Sequence, residues 1–231
     1  MDSRNISVCI PSYNRPDMIM ETIIPLINDN RIDEILLCDD CSNELDFKKL
    51  LQNVGNIKKV RVVKNVVNFH VQQNKRNAIS FSKNEWCVVI DNDNVIDKNI
   101  IDKIYEQEWN SKTIYQFDFA VPYYNFGYYS GMTFTINNIQ KYCEGGFVTL
   151  LNDNNFFVNR DEYLRVYQYN QNVRGADGIF FIYNWIKAGN SLYIIPNTKY
   201  FHRVHEGSEF GREPNNFNLV FDWMAKIREL K

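Results

Sequence analysis

The alternation of short apolar segments with helix-periodic stretches constrains the fold of the first half of the chain most strongly. The apolar segments, predicted as β-strands, occupy residues 6–10, 34–38, 59–63 and 86–90. Stretches with helical spacing follow them at residues 17–27, 45–51, 71–81 and 97–109, and Pro25 is expected to kink or shorten the first. Strands that are apolar on both faces are typical of a parallel sheet covered by helices. The pattern therefore predicts an α/β fold with an open, mostly parallel, twisted sheet.

The second half of the chain has a different texture, with many aromatic residues punctuated by Gly and Pro. We expect mixed strands and loops from residue 113 onward. Two helices are predicted at residues 160–167 and 176–188, followed by a strand at 192–195 and an amphipathic helix at 217–230. Because no repeat or linker interrupts the sequence, residues 1–231 are predicted to form one domain, with halves at 1–110 and 111–231.

Charge and composition narrow the class of partner. The formal net charge is -2 and the pI is about 6.0, which disfavours duplex nucleic acid and anionic membrane surfaces. The amino terminus lacks the regions of a signal peptide, and no apolar run approaches the roughly 20 residues that span a bilayer, so a cytoplasmic protein without a membrane span is expected. The five cysteines are expected to be reduced. Cys38 and Cys41 have metal-site spacing, but no second pair exists to complete a zinc site.

Polar residues follow three of the predicted strands. They are residues 12–15, then Asp39 and Asp40, then the acidic turn of Asp91, Asn92, Asp93 and Asn94. In an open parallel sheet, ligands bind at the carboxyl ends of strands. Two carboxylates separated by one residue can both face a hard cation such as Mg²⁺ or Mn²⁺, which a nucleoside diphosphate also binds. A solvated turn without a ligand is the alternative interpretation of the acidic segment.

Four short motifs carry a family resemblance. The segments ISVCIPSYNRP, EILLCDDCS, NKRNAI and WCVVIDNDN, in this order and spacing, resemble the inverting family 2 class of GT-A glycosyltransferases. They cover roughly the first hundred residues of the chain. The resemblance implies a Rossmann-like GT-A fold in which 1–110 binds a nucleotide-sugar donor and 111–231 is the smaller, mixed-strand half for the acceptor and catalysis. It also implies Mn²⁺ or Mg²⁺ as cofactor, and a glycan or other hydroxyl acceptor. A UDP-sugar is the favoured donor.

The resemblance assigns donor-site roles to individual residues. The nucleobase and ribose are expected to contact Pro11, Tyr13, Arg15 and Asp40, with Asp39 as a close alternative to Asp40. Asp91 is expected near the ribose or a metal-bound water, Asp93 on the metal, and Asn92 between them as a spacer. Arg76, beside Lys75, is expected to face the nucleotide, and an exposed helix charge is its alternative interpretation.

The expected general base is Asp177. Inverting transfer needs a carboxylate that takes the proton of the acceptor hydroxyl. The segment RGADGIFF, followed by WIKAG, resembles the acidic motif of the family, in which a carboxylate opens a helix. The family often has Glu-Asp here, whereas this chain has Ala176 before Asp177, so only the second acid is retained. Asp153 is the rival base or a ligand of the acceptor, and a helix-dipole role is the alternative for Asp177.

Two further groups of residues are candidates. GT-A enzymes frequently supply a late histidine to the cation, and His202 and His205 are both candidates for this ligand. Tyr124 and Tyr128, in a stretch too rich in aromatic residues for all to be buried, are expected to stack on the acceptor.

Three alternative functions stay open at this stage. A sugar-nucleotide pyrophosphorylase shares this type of nucleotide-binding half, but it generally has a Gly-rich loop after the first strand, and residues 11–15 contain no Gly. A non-catalytic nucleotide- or carbohydrate-binding module is the second. A retaining transferase is the third, because the motifs of the first half serve both stereochemical classes.

Overall fold

A central ten-stranded sheet organises the part of the chain that the computed structural model describes, which is residues 4–153, 155–203 and 216–231. The strands are β1 (Ile6–Ser12), β2 (Ile32–Asp39), β3 (Val60–Lys64), β4 (Trp86–Val89), β5 (Val95–Ile96), β6 (Thr113–Val121), β7 (Tyr124–Asn125), β8 (Thr133–Phe134), β9 (Phe156–Asn159) and β10 (Ser191–Phe201). Their main order is β3-β2-β1-β4-β9-β6-β10-β5, with β7 beside β6 and β8 beside β10.

Helices cover the sheet. They are α1 (Ile19–Ile23), α2 (Glu44–Val54), α3 (His70–Phe81), α4 (Asn99–Tyr105), α5 (Phe147–Asn152), α6 (Arg160–Val166), α7 (Asp177–Lys187) and α8 (Asn216–Arg228). Asparagine side chains cap two of them, since Asn43 accepts from the backbone N–H of Asp46 and Asn159 accepts from that of Glu162. Among the described residues, no helix combines the length and the apolar character that a membrane crossing requires.

The first four strands pair in parallel, as the sequence predicts. Strand β1 lies between β2 and β4, and β2 continues to β3. Every residue of β1 and β4 is buried because helices cover both faces of the sheet. The chain leaves β1 in one direction along the sheet and later returns on its other side with β4. The carboxyl ends of β1 and β4 therefore form a topological switch point, where such sheets bind ligands.

The second half is mixed. Strand β9 is antiparallel to both β4 and β6, whereas β10 is parallel to β6. Strand β10 runs well beyond the predicted 192–195: its register shifts between Ile195 and Lys199, Asn197 has a positive φ of 58°, and pairing with β6 then resumes. This irregularity absorbs Pro196 and Asn197, so a sequence that reads as the end of a strand is only a bulge.

Several predicted helices are shorter than expected. Helix α1 ends at Ile23, two residues before Pro25, and α4 covers only Asn99–Tyr105 of the predicted 97–109. Proline lacks a backbone N–H and crowds the residue before it, so α1 ends before Pro25. Beyond α4, Trp109 turns back instead, and its ring packs against Trp86 and Phe157.

Candidate functional site

The loops that follow β1 and β2 are joined by short hydrogen bonds. The N–H of Asp40 donates to the carbonyl of Ser12 at 2.8 Å, and the N–H of Asn14 donates to Ser42 Oγ at 2.8 Å. The N–H of Asn43 donates in turn to Asn14 Oδ1 at 3.0 Å. Asn14 has a φ of 51°, a conformation that asparagine tolerates better than most residues. The two loops therefore form one polar rim beside the switch point.

The carboxylates of Asp39 and Asp40 stabilise this polar rim by accepting hydrogen bonds in the interior. Asp39 accepts hydrogen bonds from both the N–H and the hydroxyl of Ser42, so it braces the turn after β2. Asp40 accepts from Asn65 Nδ2 at 2.8 Å and from the N–H of Phe69 at 2.9 Å. Burial raises the pKa of Asp40 above its ordinary value, and these hydrogen bonds oppose that rise.

A buried asparagine network positions α3, and the sequence reasoning missed it. Asn65 Nδ2 donates to Asn74 Oδ1 at 3.0 Å, and Asn77 Nδ2 donates to Asn65 Oδ1 at 3.1 Å. Asn74 also donates to the carbonyl of Cys38 at the end of β2. Buried amides need partners, and these three satisfy one another and the strand end. The network fixes the face of α3 that points toward the switch point.

The acidic turn after β4 is anchored through its asparagines. Asn92 faces the interior. Its side-chain Nδ2 donates to Ser12 Oγ at 3.0 Å, and its backbone carbonyl accepts from Thr22 Oγ1 at 3.0 Å. Asn155 Oδ1 accepts from the N–H of Asp91 at 3.0 Å and from Asn94 Nδ2 at 3.3 Å. Asn92 is thus more than the spacer that the sequence indicates, because it ties the turn to the loop after β1.

Each carboxylate of the acidic turn lies against a basic side chain. Arg15 Nη1 is 2.6 Å from Asp93 Oδ2, which brings together the predicted residues of two loops. Lys75 Nζ is 2.8 Å from Asp91 Oδ1. Lys75 lies on α3 and is 2% exposed, so its charge is held between α3 and the acidic turn, the region that we call the cleft. The two ion pairs link the loop after β1 and helix α3 to the turn after β4.

The donor set does not fit the expected Mn²⁺ or Mg²⁺. Asp91 and Asp93 face cationic groups, and a divalent ion placed between them would meet two like charges. Nowhere in residues 4–153, 155–203 and 216–231 do three His, Cys, Asp or Glu side chains lie close enough to hold a metal. His205, a predicted ligand, lies outside the described residues. A cation site on Asp91, Asp93 and His202 is therefore not assembled by the described side chains.

His202 follows β10 in an aromatic surround. Its backbone N–H donates to the carbonyl of Val121 at 2.8 Å, so the end of β10 stays attached to β6. The rings of Tyr123, Tyr124 and Tyr200 lie 5.9 to 6.2 Å from its imidazole. The Nδ1 atom is buried and has no hydrogen-bond partner among the described residues. The expected role of His202 toward a metal stays a prediction.

Asp153, the rival base, is engaged on both oxygens. Tyr200 donates its hydroxyl to Oδ2 at 2.9 Å, and Asn155 donates its N–H and its Nδ2 to Oδ1 at 3.1 and 3.0 Å. Burial raises the pKa of Asp153, and these hydrogen bonds and nearby His202 oppose the rise. Asp153 holds Asn155, which in turn holds Asp91, so its geometry is that of a brace for the acidic turn.

Asp177 opens α7 at the wall of a small cavity. Asp177 is 6% exposed, and the cavity, of about 10 Å³, is also lined by Lys75, by Tyr163 of α6 and by Tyr167, which directly follows α6. Helix α7 approaches α5 very closely at Gly178, where a Cβ atom would lie 2.6 Å from the carbonyl oxygen of Asn152. Asn152 Oδ1 also accepts from the N–H of Ile179 at 3.1 Å. Only glycine allows this approach, which sets the position of Asp177.

The remaining predicted residues are dispersed around the cleft. Pro11 is buried at the end of β1 and Tyr13 is exposed on the rim. Arg76 lies on the side of α3 that is near Tyr167. Burial raises the pKa of Tyr167, and the charge of Arg76 opposes that rise. Tyr124 is 39% exposed beside His202, whereas Tyr128 is 82% exposed and stacks edge-on against Tyr129. Tyr124 therefore lies beside His202 at the end of β10, and Tyr128 belongs to a separate aromatic cluster.

Comparisons with solved structures define the class of fold. The structure of residues 1–349 of TarS from S. aureus with UDP-GlcNAc superposes with a TM-score of 0.72 at 16% identity, covering 96% of this chain and 66% of that one. GalNAc-T7 with UDP, GalNAc and Mn²⁺ gives a TM-score of 0.68 at 16% identity, covering 95% and 48%. These likenesses confirm the predicted GT-A fold, with its open central sheet and flanking helices.

Sequence comparison identifies the family. The glycosyltransferase GlyG of Streptococcus pneumoniae serotype 4 is 27% identical over 106 residues, which are 46% of this chain and 35% of GlyG. The uncharacterized protein y4gI of Sinorhizobium fredii is 28% identical over 116 residues, 48% of this chain and 13% of y4gI. A profile of glycosyl transferase family 2 matches residues 7–184, and the chain belongs to this family. It spans much less than the full length of either sequence relative.

Proposed function

We propose that this domain transfers a sugar from a nucleoside diphosphate sugar, with a UDP-sugar favoured, to a hydroxyl group of a glycan or another acceptor. The observation that carries the proposal is the placement of Asp177. Its buried carboxylate shares a cavity with Lys75, whose ammonium pairs with Asp91 of the acidic turn. Lys75 thus contacts the turn that follows β4 and lines the same cavity as Asp177, which supports Asp177 as the base of a displacement at a sugar carbon.

The proposed chemistry is a single inverting displacement. Asp177 accepts the proton of the acceptor hydroxyl as that oxygen forms a bond to the anomeric carbon. The bond from this carbon to the diphosphate oxygen breaks, and its electron pair leaves with the nucleoside diphosphate. The products are an inverted glycoside, the nucleoside diphosphate and protonated Asp177, which returns its proton to water.

The donor side of the proposal uses the rim residues. Tyr13 is exposed at the rim and offers a ring face to a nucleobase, while Arg15 lies next to the acidic turn. UDP and UDP-GlcNAc accompany TarS, and UDP accompanies GalNAc-T7, which supports a uridine donor for this chain. No step of the proposed reaction uses Mn²⁺ or Mg²⁺, because the described side chains around the acidic turn do not fit either ion.

The acceptor side of the proposal rests on aromatic surface. Tyr123 and Tyr124 are exposed next to His202, and His202 in turn is near Asp153. Aromatic faces suit the apolar faces of pyranose rings. A sugar-bearing acceptor that stacks on Tyr124 would present a hydroxyl toward the cleft.

A donor panel tests the proposal. The thermal midpoint of the protein is measured with UDP-, GDP-, dTDP- and CDP-sugars, because a ligand that binds the folded state raises it by mass action. A rise with one nucleotide family, followed by release of the free nucleoside diphosphate when candidate glycans are added, is the expected result. The anomeric configuration of the product is then read by NMR. Absence of any shift across the panel contradicts the proposal.

A further inference from the structure

We propose that Lys75 and Arg15 supply the positive charge that holds the donor diphosphate, so that nucleotide binding in this domain needs no divalent cation. The inference rests on the proposed function and specifies how its donor site works. It starts from the acidic turn, whose two carboxylates each oppose a protein cation, at 2.8 Å for Lys75 and Asp91 and at 2.6 Å for Arg15 and Asp93.

Lys75 occupies a position where lysine is costly. It shares one face of α3 with Val71, Ala78 and Ile79, the neighbours that helical spacing places beside it, and it is 2% exposed. Lysine is rarely so buried unless it is paired. Helix propensity and packing would both be satisfied by an apolar residue, so the charge itself is the feature that needs a reason.

The ammonium group of Lys75 retains capacity to donate. Its Nζ atom is within ion-pair distance of Asp91, but the approach is not aligned as a hydrogen bond, and no other described group accepts from it. An ammonium group has three N–H donors, and leaving them unsatisfied in a buried site is unfavourable. Phosphate oxygens that enter the cleft beside Asp91 would satisfy them.

Arg15 completes the arrangement from the opposite loop. Its side chain is 25% exposed, so the guanidinium can face a ligand while it contacts Asp93. A guanidinium presents several N–H donors in a fork that matches two phosphate oxygens. Together, Lys75 and Arg15 bring two positive charges to the turn where a divalent ion would otherwise lie.

The location of Lys75 also connects the donor side to the proposed base. The cavity of about 10 Å³ that it lines with Asp177 has room for about one water molecule. Negative charge develops on the leaving diphosphate as Asp177 loses its own by accepting a proton. The Lys75 ammonium, already fixed at this cavity, gains attraction to the diphosphate as its attraction to Asp177 falls, so it needs no reorganisation.

Calorimetric titration of the intact domain with UDP tests the inference. The affinity is measured in excess EDTA and again in excess Mn²⁺, and if UDP does not bind, the tightest nucleoside diphosphate of GDP, dTDP and CDP replaces it. We expect equal affinity in the two buffers and no Mn²⁺ binding to the free protein by electron paramagnetic resonance. Binding that appears only with Mn²⁺ overturns the inference and leaves the proposed function standing. Absence of nucleotide binding in both buffers overturns the proposed function and the inference with it.

Variants assign the charge to its residues. Lys75→Met and Arg15→Gln are each expected to weaken UDP in EDTA by about 10- to 100-fold, the loss typical of a hydrogen bond to a charged group, while uridine affinity is unchanged. Lys48→Met, at an exposed lysine on α2, is the matched control and is expected to bind like the parent. The double variant Lys75→Met/Asp91→Asn removes both partners of the buried pair and serves if the single variant does not fold. Unchanged UDP affinity in either Lys75 variant overturns the inference.

Discussion

The two sides of the switch point differ in the residues that line them. On the β1–β4 side, parallel strands end in polar loops whose amides and carboxylates bond to one another, as Asn65, Asn74 and Asn92 illustrate. On the β6–β10 side, mixed strands lead into exposed rings such as Tyr123 and Tyr124. The first side holds a fixed constellation of charges, and the second presents a surface for stacking. Under the proposed function, the donor and the acceptor are therefore bound by different forces.

The largest expected effect separates catalysis from donor binding. Asp177→Asn removes the proposed base while keeping the size of the side chain, and kcat for sugar transfer is expected to fall by about 100- to 10,000-fold. Affinity for UDP is expected to stay unchanged. Asp222→Asn, at an exposed position on α8, is the control. Full activity in Asp177→Asn would return the role of base to Asp153.

The next effect concerns the contact between helices α5 and α7. Gly178→Ala places a Cβ atom 2.6 Å from the carbonyl oxygen of Asn152, so α7 must move away from α5. The free energy of unfolding is expected to fall by about 1–3 kcal/mol, as overpacking commonly costs. Urea denaturation measures it. Gly146→Ala is the control because its added Cβ meets no atom within 4 Å. Equal stability of the two variants would contradict the close approach.

A smaller effect concerns the pH dependence of stability. Because burial raises the pKa of Asp153 from 3.8, the folded protein binds this proton more tightly than the unfolded chain. The stabilisation is fully present below the unfolded pKa and is lost as pH rises through the raised value. Asp153→Asn removes this dependence, so the difference in unfolding free energy between parent and variant should be larger at acid than at neutral pH. Asp161→Asn, at an exposed position on α6, is the matched control.

The smallest effect concerns the stacking surface. Tyr124→Ala is expected to raise KM for a glycan acceptor by about 3- to 10-fold through loss of ring contact, with little change in KM for the donor. Tyr128→Ala is the matched comparison, since Tyr128 is equally aromatic but contacts Tyr129 away from His202. Steady-state kinetics with varied acceptor measure both. Equal effects of the two substitutions would place the acceptor on the outer aromatic cluster instead.

The sequence predicted the β1–β4 side well because burial on both faces leaves a clear signal. Strands β1 and β4 are buried at every residue and β2 at all but one, and polar residues mark the ends of the three strands at Ser12, Asp39 and Asp91. The two-residue strands β5, β7 and β8 are too short for any periodicity to detect. The bulge in β10 concealed the continuation of that strand, because Pro196 and Asn197 are typical of strand ends.

The sequence predicted part of the candidate site, and the feature that it did not predict is a buried positive charge. The sequence placed Arg15, Asp91 and Asp93 near one another, and the structure brings them together. It gave Lys75 only a minor role beside Arg76, because a lysine on a polar helix is usually exposed. The signal was present in the spacing of Val71, Lys75, Ala78 and Ile79, which puts the lysine on an apolar face. The pairing of carboxylates with cations depends on loop geometry, which no such spacing encodes.

The chain of contacts through Asn152, Asp153 and Asn155 has a consequence for divergence within the family. Asn152 bonds to α7 beside Asp177, Asp153 holds Asn155, and Asn155 holds the N–H of Asp91. The spacing between Asp177, the proposed base, and the acidic turn is therefore set inside one short segment and does not depend on the aromatic stretch near Tyr124. Under the proposed function, the aromatic stretch near Tyr124 could therefore change to suit a different acceptor while Asp177 and Asp91 keep their separation.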